Sequence, residues 1–231
     1  GGDIMFTCAY GQILSRAVLE SFALGVWNAH ASLLPEFRGA SPVQSAILAG
    51  KTQTGVTIMK TEEKLDAGDI LLVKRCDILP GETAGELAEK LSALSAEAVC
   101  EAAKMIEAGD DNILLQDDSA ATYCKKIAKE DARADFSQPA AKVCALINAM
   151  SPSPAAYANL SGAQVNFYRA FEEPEEDGTC GQVVRADKRG IVIKCGGGCV
   201  RITEAQFAGG KRLSAADIVN GRKISAGDIF E

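Results

Sequence analysis

One histidine and one tryptophan occur in 231 residues, and aromatic side chains make up only 6% of the chain. A single imidazole excludes a multi-histidine metal centre, so any zinc site would rest on cysteine. No apolar run approaches the roughly 18–20 residues that span a bilayer, and no basic start precedes a short apolar core. The reading is a soluble, cytoplasmic protein with no membrane partner. Basic charge is scarce too, with 24 Lys+Arg against 31 Asp+Glu, a net charge of −7 and a pI near 4.9. That balance excludes tight, purely electrostatic binding to duplex nucleic acid. No Gly-x-Ser-x-Gly elbow is present, and Gly196-Gly197-Gly198 fits neither phosphate-cradling glycine pattern. A serine hydrolase, a nicotinamide enzyme and a P-loop ATPase therefore lack motif support.

What is present is 47% apolar and 24% charged residues, enough for one large domain or two smaller ones. Eight cysteines, at 8, 76, 100, 124, 144, 180, 195 and 199, are scattered through expected strands and helices. In a chain of this length they read as small buried hydrophobes rather than a disulfide framework. Cys195 and Cys199 flank the triple glycine, but two further ligands would be needed, and no metal is expected. Residues 1–115 carry a net charge of −7, residues 116–231 a net of zero, and residues 178–231 a net of +4. The last stretch is a mild hint of polyanion contact, or an ordinary solvated surface.

Strand and helix patterns alternate along the first half. The apolar run from Asp3 to Tyr10, stopped by Gly11, suits a strand buried on both faces of a parallel sheet. Such a strand is seldom an edge, and the chain opens at Gly1-Gly2 without Met. Sheet neighbours are therefore expected on the N-terminal side, which reads as truncation. A short helix capped by Ser15 is expected to Phe22, a strand over 26–31, and a helix opened by Ser41-Pro42 and stopped by Gly50. Strands follow over 54–61 and 70–78, then a long helix over 83–108. This alternation predicts an open α/β sheet for residues 1–108. The character changes after Gly109-Asp110-Asp111-Asn112, giving a linker over 109–135. A helix over 139–150 and four short strands after Ala163 predict a small oligonucleotide-binding-like β-barrel over 136–231.

The one histidine lies in Asn28-Ala29-His30-Ala31-Ser32. Residues two apart on a strand share a face, so Asn28 and His30 project side by side near its C-terminal end, where open sheets place ligand crevices. An amide donor beside an imidazole suits acyl transfer, the first stabilising an oxyanion and the second moving a proton. By spacing alone a satisfied core histidine and a capping asparagine fit equally well. Asp66, in a glycine-containing loop between two strands, would hold the imidazole if it faced it. It also fits an ordinary turn residue.

The stretch from Asn28 to Pro42 resembles the signature of formyltransferases that use 10-formyltetrahydrofolate. Thr54-Gly55-Val56-Thr57-Ile58-Met59 and Leu65-Asp66-Ala67-Gly68-Asp69 are similar to the family's next two blocks, in order, and Ala9 to Leu14 to the segment before the signature. The resemblance implies an α/β fold, here a truncated Rossmann-like formyltransferase domain followed by the small barrel. It implies Asn28, His30 and Asp66 as the catalytic trio, with 10-formyltetrahydrofolate as formyl-donor co-substrate. Gln12, Ile13, Leu14, Ser32, Leu33, Leu34 and Pro35 would form the folate pocket, and Glu62 would close over the pterin. Leu33, Leu34, Ile13 and Leu14 would serve equally as apolar core in any fold.

The stretch from Tyr123 to Phe136 and Ser151-Pro152-Ser153-Pro154 resemble the branch of the family that acts on initiator methionyl-tRNA. Ser151 stands where that branch usually has Asn, and Phe136 where Trp is common. The resemblance implies tRNA contact through Arg38 at the catalytic entrance, Lys125, Lys126 and Lys129 in the linker, and Lys211 and Arg212 on the barrel. It also implies a monomer, though a chain with exposed sheet edges would self-associate. Two alternatives stay open: a formyltransferase acting on an amino sugar nucleotide, and a non-catalytic module that binds folate or RNA.

Overall fold

The computed structural model describes residues 2–110 and 112–231. Gly1 of the opening glycine pair, and Asp111 at the expected domain boundary, lie outside the described residues. The chain divides into two compact units. Gly1–Ala46, Lys51–Ile78 and Leu87–Lys126 form the first, and Ile47–Gly50, Leu79–Glu86 and Ile127–Glu231 the second. The stretch expected as a linker is thus shared, with residues up to Lys126 in the first unit and those from Ile127 in the second.

The first unit is built on a four-stranded sheet of β1 (Met5–Cys8), β2 (Val26–His30), β4 (Gln53–Lys60) and β5 (Ile70–Asp77), in the order β1-β2-β4-β5. Only β1 and β2 are parallel; β4 runs antiparallel to both β2 and β5, so the sheet is mixed. β4 is buried from Thr54 to Met59, as expected of a strand covered on both faces. β1 departs from that expectation. Among the described residues it is an edge, with only Thr7 buried and Cys8 exposed.

Three helices accompany the sheet: α1 (Arg16–Leu19), α2 (Pro42–Leu48) and α3 (Ala84–Glu107). Ser15 stands at the N-cap of α1 without a side-chain capping bond, and the helix ends one turn later. α2 starts on Pro42, whose missing N–H costs nothing in a first turn. α3 turns Leu87, Leu91, Ser95, Ala98 and Ala102 inward, a helical stripe at spacings of three and four. Two-residue strands β3 (Arg38–Gly39) and β6 (Tyr123–Cys124) pair in parallel and tie the segment after α3 to the loop after β2.

In the second unit α4 (Ala140–Ala149) packs on a sheet of β7 (Ala156–Leu160), β8 (Ala163–Glu173), β9 (Val183–Asp187), β10 (Gly190–Lys194) and β11 (Cys199–Phe207), with β12 (Arg212–Ser214) beside β11 and α5 (Ala215–Asn220) following. The core centres on Phe136, Phe167 and Phe230, with ring centroids 5.3–6.1 Å apart. Asn148 of α4 is buried and bonds Ala170 twice, Nδ2 donating to its carbonyl at 2.9 Å and Oδ1 accepting its N–H at 3.0 Å. That pairing sits where the β8–β11 register shifts, and it satisfies backbone groups there.

The expected barrel is corrected. Strand order runs β7-β8-β11-β10-β9, and β7 does not pair with β9. Instead the C-terminal residues bond both edges through isolated bridges, Leu160 with Phe230 and Gln182 with Ile229. The sheet is therefore open, its edges covered by a segment too irregular to count as a strand.

α5 carries a measurable cap. The Ser214 hydroxyl accepts the Asp217 N–H at 3.2 Å and donates to the Asp217 carboxylate at 2.7 Å. Ser214→Ala is expected to cost about 1 kcal/mol, the usual worth of such a cap. Urea unfolding followed by circular dichroism measures it, and an unchanged midpoint would deny the cap its role.

Candidate active site

β2 holds the amide and the imidazole because strand alternation puts Asn28 and His30 on one face. Its neighbours β1 and β4 fix its backbone on both sides. Thr7 lies directly across from Asn28 on β1, and its hydroxyl donates to Asn28 Oδ1 at 3.0 Å. The oxygen end of the amide is thereby held toward β1 and the NH2 end is turned away as a donor. Asn28 is half-buried, whereas His30 is 5% exposed.

The loop leaving β2 folds back to grip the ring. Thr57, paired with His30 on β4, donates to Ser32 O at 2.7 Å and accepts the Leu34 N–H at 3.2 Å. Ser32 in turn donates to Glu36 O at 2.6 Å. Phe37 has φ +58°, a rare conformation for a bulky residue. Its carbonyl lies 2.9 Å from His30 Nε2. A carbonyl only accepts, so Nε2 carries the proton, and Nδ1 is the atom that faces Asp66.

Asp66 also has positive φ, +47°. Its Oδ2 accepts the Gly39 N–H at 2.8 Å and lies 3.7 Å from His30 Nδ1. This is ion-pair range, longer than the direct hydrogen bond a rigid dyad would show. Two non-glycine residues in the left-handed region, each holding one partner of the pair, are backbone strain of the kind that gathers at functional sites.

The remaining expected residues fall into three groups. Gln12 and Ile13 are exposed and Leu14 half-buried, and Ile13 at 91% exposure is not apolar core. Ser32 and Leu34 are buried, Leu33 and Pro35 half-buried, and Glu62 exposed beside the Asp66 loop. Gly55 makes room for Leu33, since a Cβ there would lie 2.7 Å from Leu33 Cδ2 and 2.0 Å from Lys74 O. Lys125, Lys126, Lys129 and Lys211 are exposed. Arg212 lies over the Tyr168 ring at 4.2 Å and pairs with Glu204 at 2.5 Å.

Arg38 corrects its expected place at a tRNA entrance. Its side chain is 0% exposed, with Nε and Nη2 donating to Gln116 Oε1 at 3.1 and 2.8 Å and Nη1 to Asp118 at 2.8 Å. Burial works against this charge, but the bonds to Asp118 and Tyr123 outweigh it and hold the guanidinium above its ordinary pKa. Hydrogen bonds from Lys64 and then Arg38 hold the Asp118 carboxyl below the usual carboxylate range. These bonds therefore stabilise the fold above that range, and the contribution is lost as pH falls through the lowered value. Burial pushes the Cys124 thiol up, so this cysteine beside the Phe37 and Arg38 carbonyls stays a thiol.

Sequence reading missed Thr7, Thr57, Gln116 and the backbone groups of Phe37 and Gly39. The first two were findable, because threonines on strands flanking β2 are the residues register can set across from Asn28 and His30. All eight cysteines are free, and no group of three metal-binding side chains occurs among the described residues. No helix of the described residues is long and apolar enough to cross a membrane. A cavity of about 430 Å³ in the second unit, lined by Arg133, Asp135, Ser137, Cys180 and the two phenylalanines Phe136 and Phe230, contains none of the expected site residues.

An amide, an imidazole and a loop carboxylate converging at a strand end define a class of protein. Residues 1–103 match the formyl transferase family, and residues 126–223 match the formyl transferase C-terminal domain. Methionyl-tRNA formyltransferase of Thiobacillus denitrificans is 43% identical over 214 residues, covering 91% of this chain and 68% of that protein. The Coxiella burnetii enzyme of the same name is 40% identical over 208 residues, covering 90% and 66%. Among solved structures, HypX from Aquifex aeolicus in complex with tetrahydrofolic acid superposes with a TM-score of 0.73 at 22% identity, covering 94% of this chain and 38% of that one. The chain belongs to the methionyl-tRNA formyltransferase family. It spans about two thirds of the length of the curated relatives it matches.

Proposed function

We propose that the protein transfers the formyl group of 10-formyltetrahydrofolate to the α-amine of initiator methionyl-tRNA, in the cytoplasm, for translation initiation. The observation that carries this reading is the meeting of His30 and Asp66 on the side of β2 that presents Asn28. Family membership supports both substrates.

The amine nitrogen bonds to the formyl carbon, and the carbonyl oxygen takes up negative charge. Asn28 Nδ2, turned outward by Thr7, donates to that oxygen. The proton released by the amine passes to the Asp66–His30 pair. The ring delivers it from Nδ1 to the folate nitrogen as the carbon–nitrogen bond breaks, because Nε2 stays anchored on Phe37 O. The turn at Leu33, Leu34 and Pro35, with Gln12, Ile13 and Leu14, supplies folate contacts, and an isoleucine 91% exposed is a surface that a ligand would cover. Glu62, exposed beside the Asp66 loop, closes over the pterin in this reading. The exposed lysines 125, 126, 129 and 211 meet tRNA phosphates without reading bases. Arg38 is withdrawn from that set.

Formylation of charged initiator tRNA, measured with Asp66→Asn and His30→Ala alongside the parent protein, tests the reading. Both variants are expected to lose about 100-fold or more in turnover, as when a positioned acid–base group is removed. Acceptance of an amino sugar nucleotide in place of the tRNA would overturn the substrate, and full activity of both variants would overturn the site.

A further inference from the structure

The Asp66 carboxylate sits on a loop rather than on the sheet, so something must fix that loop to fractions of an ångström. Gln116 bonds both ends of the turn. Its Nε2 donates to Asp66 O at 3.0 Å and to Gly68 O at 2.6 Å. Its Oε1 faces the other way and accepts from Nε and Nη2 of Arg38, the fully buried residue between Phe37 and Gly39. Phe37 supplies the carbonyl on His30, and Gly39 supplies the N–H on Asp66. Asp118 closes the ring, bonding Arg38 Nη1 on one side and Lys64 Nζ, two residues before Asp66, on the other. A half-buried amide that spends both ends on backbone and a guanidinium is held in one orientation.

We propose that Gln116 is a positioning residue for the Asp66 carboxylate: it couples the loop that carries Asp66 to the segment that holds His30. This rests on the proposed roles of Asp66 and His30. Arg38 is the other half of the coupling, which gives its burial a purpose that a phosphate contact cannot. Gln116 does not touch substrate. Losing it lets Asp66 drift from Nδ1, and displacement of a reacting group by about 1 Å is enough to cost on the order of 100-fold.

Gln116→Glu tests this, because it keeps two acceptor oxygens for Arg38 while removing the N–H donors to the loop. The chain has a single histidine, so nitrogen-15 spectra report the His30 ring without assignment ambiguity. We expect kcat to fall about 10- to 100-fold with the KM for the formyl donor unchanged, and the ring-nitrogen resonances to shift as they do in Asp66→Asn. Gln116→Leu, which also lacks the donors, is the second variant if glutamate prevents folding, with thermal melts as the check on each. If Asp66→Asn is inactive but Gln116→Glu keeps the parent kcat and imidazole spectrum, the coupling is refuted and the catalytic reading stands. If Asp66→Asn keeps full activity, the catalytic reading fails, and the resonances alone decide. A shift shared by the two variants sustains the coupling, and none overturns it.

Discussion

Replacing Asn28 with alanine is expected to lower formyl transfer about 100- to 1000-fold, the usual consequence of deleting one oxyanion donor. The case for so large an effect is geometric. Thr7 fixes the oxygen end of the amide, so the donor end is aimed before substrate arrives and no energy is spent orienting it during reaction. Stability should hardly change, because Asn28 is half-buried and the Thr7 hydroxyl also lies 3.3 Å from Trp27 O. The loss should amount to about 1 kcal/mol, one hydrogen bond's net worth. Single-turnover rates and thermal melts read the two quantities separately. Thr7→Val, which frees the amide to rotate without removing it, should show a smaller loss in the same assay. A rate within tenfold of the parent for Asn28→Ala, in a protein that melts normally, would take Asn28 out of the chemistry.

The side-by-side placement of Asn28 and His30 could be read from the chain because it needs only strand alternation. Asp66 could not be placed that way. It reaches His30 through a loop whose position depends on Gln116, fifty residues downstream. Arg38 misled for a related reason. The resemblance implied a tRNA contact for it, and its burial requires Gln116 and Asp118, which no local pattern announces. The long helix α3 was plain from composition, whereas β3 and β6, two residues each, have no period to detect. The barrel failed at closure. Evenly spaced short strands predict pairing, but whether the first meets the last is set by tertiary packing, and here residues near the C-terminus bond both edges. Ile13 was given to the folate pocket with apolar core as the alternative, and its 91% exposure removes that alternative.

Gly39→Ala should damage both the fold of the first unit and the placement of Asp66. Gly39 has φ +119°, and a Cβ built on it would lie 2.2 Å from Cys124 O. Backbone on both sides leaves nothing flexible to yield, so β3 and β6 must separate. The same residue donates its N–H to Asp66 Oδ2, and moving it carries the carboxylate off His30. The expected result is a loss of about 2–3 kcal/mol in stability, the upper range for forcing a side chain into such a conformation. Turnover should drop about 100-fold beyond any loss of folded protein, from displacement of Asp66. Gly50→Ala isolates the conformational part, because Gly50 has φ +65° with nothing within 4 Å of its would-be Cβ. It should cost about 1 kcal/mol and leave turnover per folded molecule at the parent value. Equal behaviour of the two variants would mean that the contact with Cys124 is inconsequential and that Asp66 does not depend on Gly39.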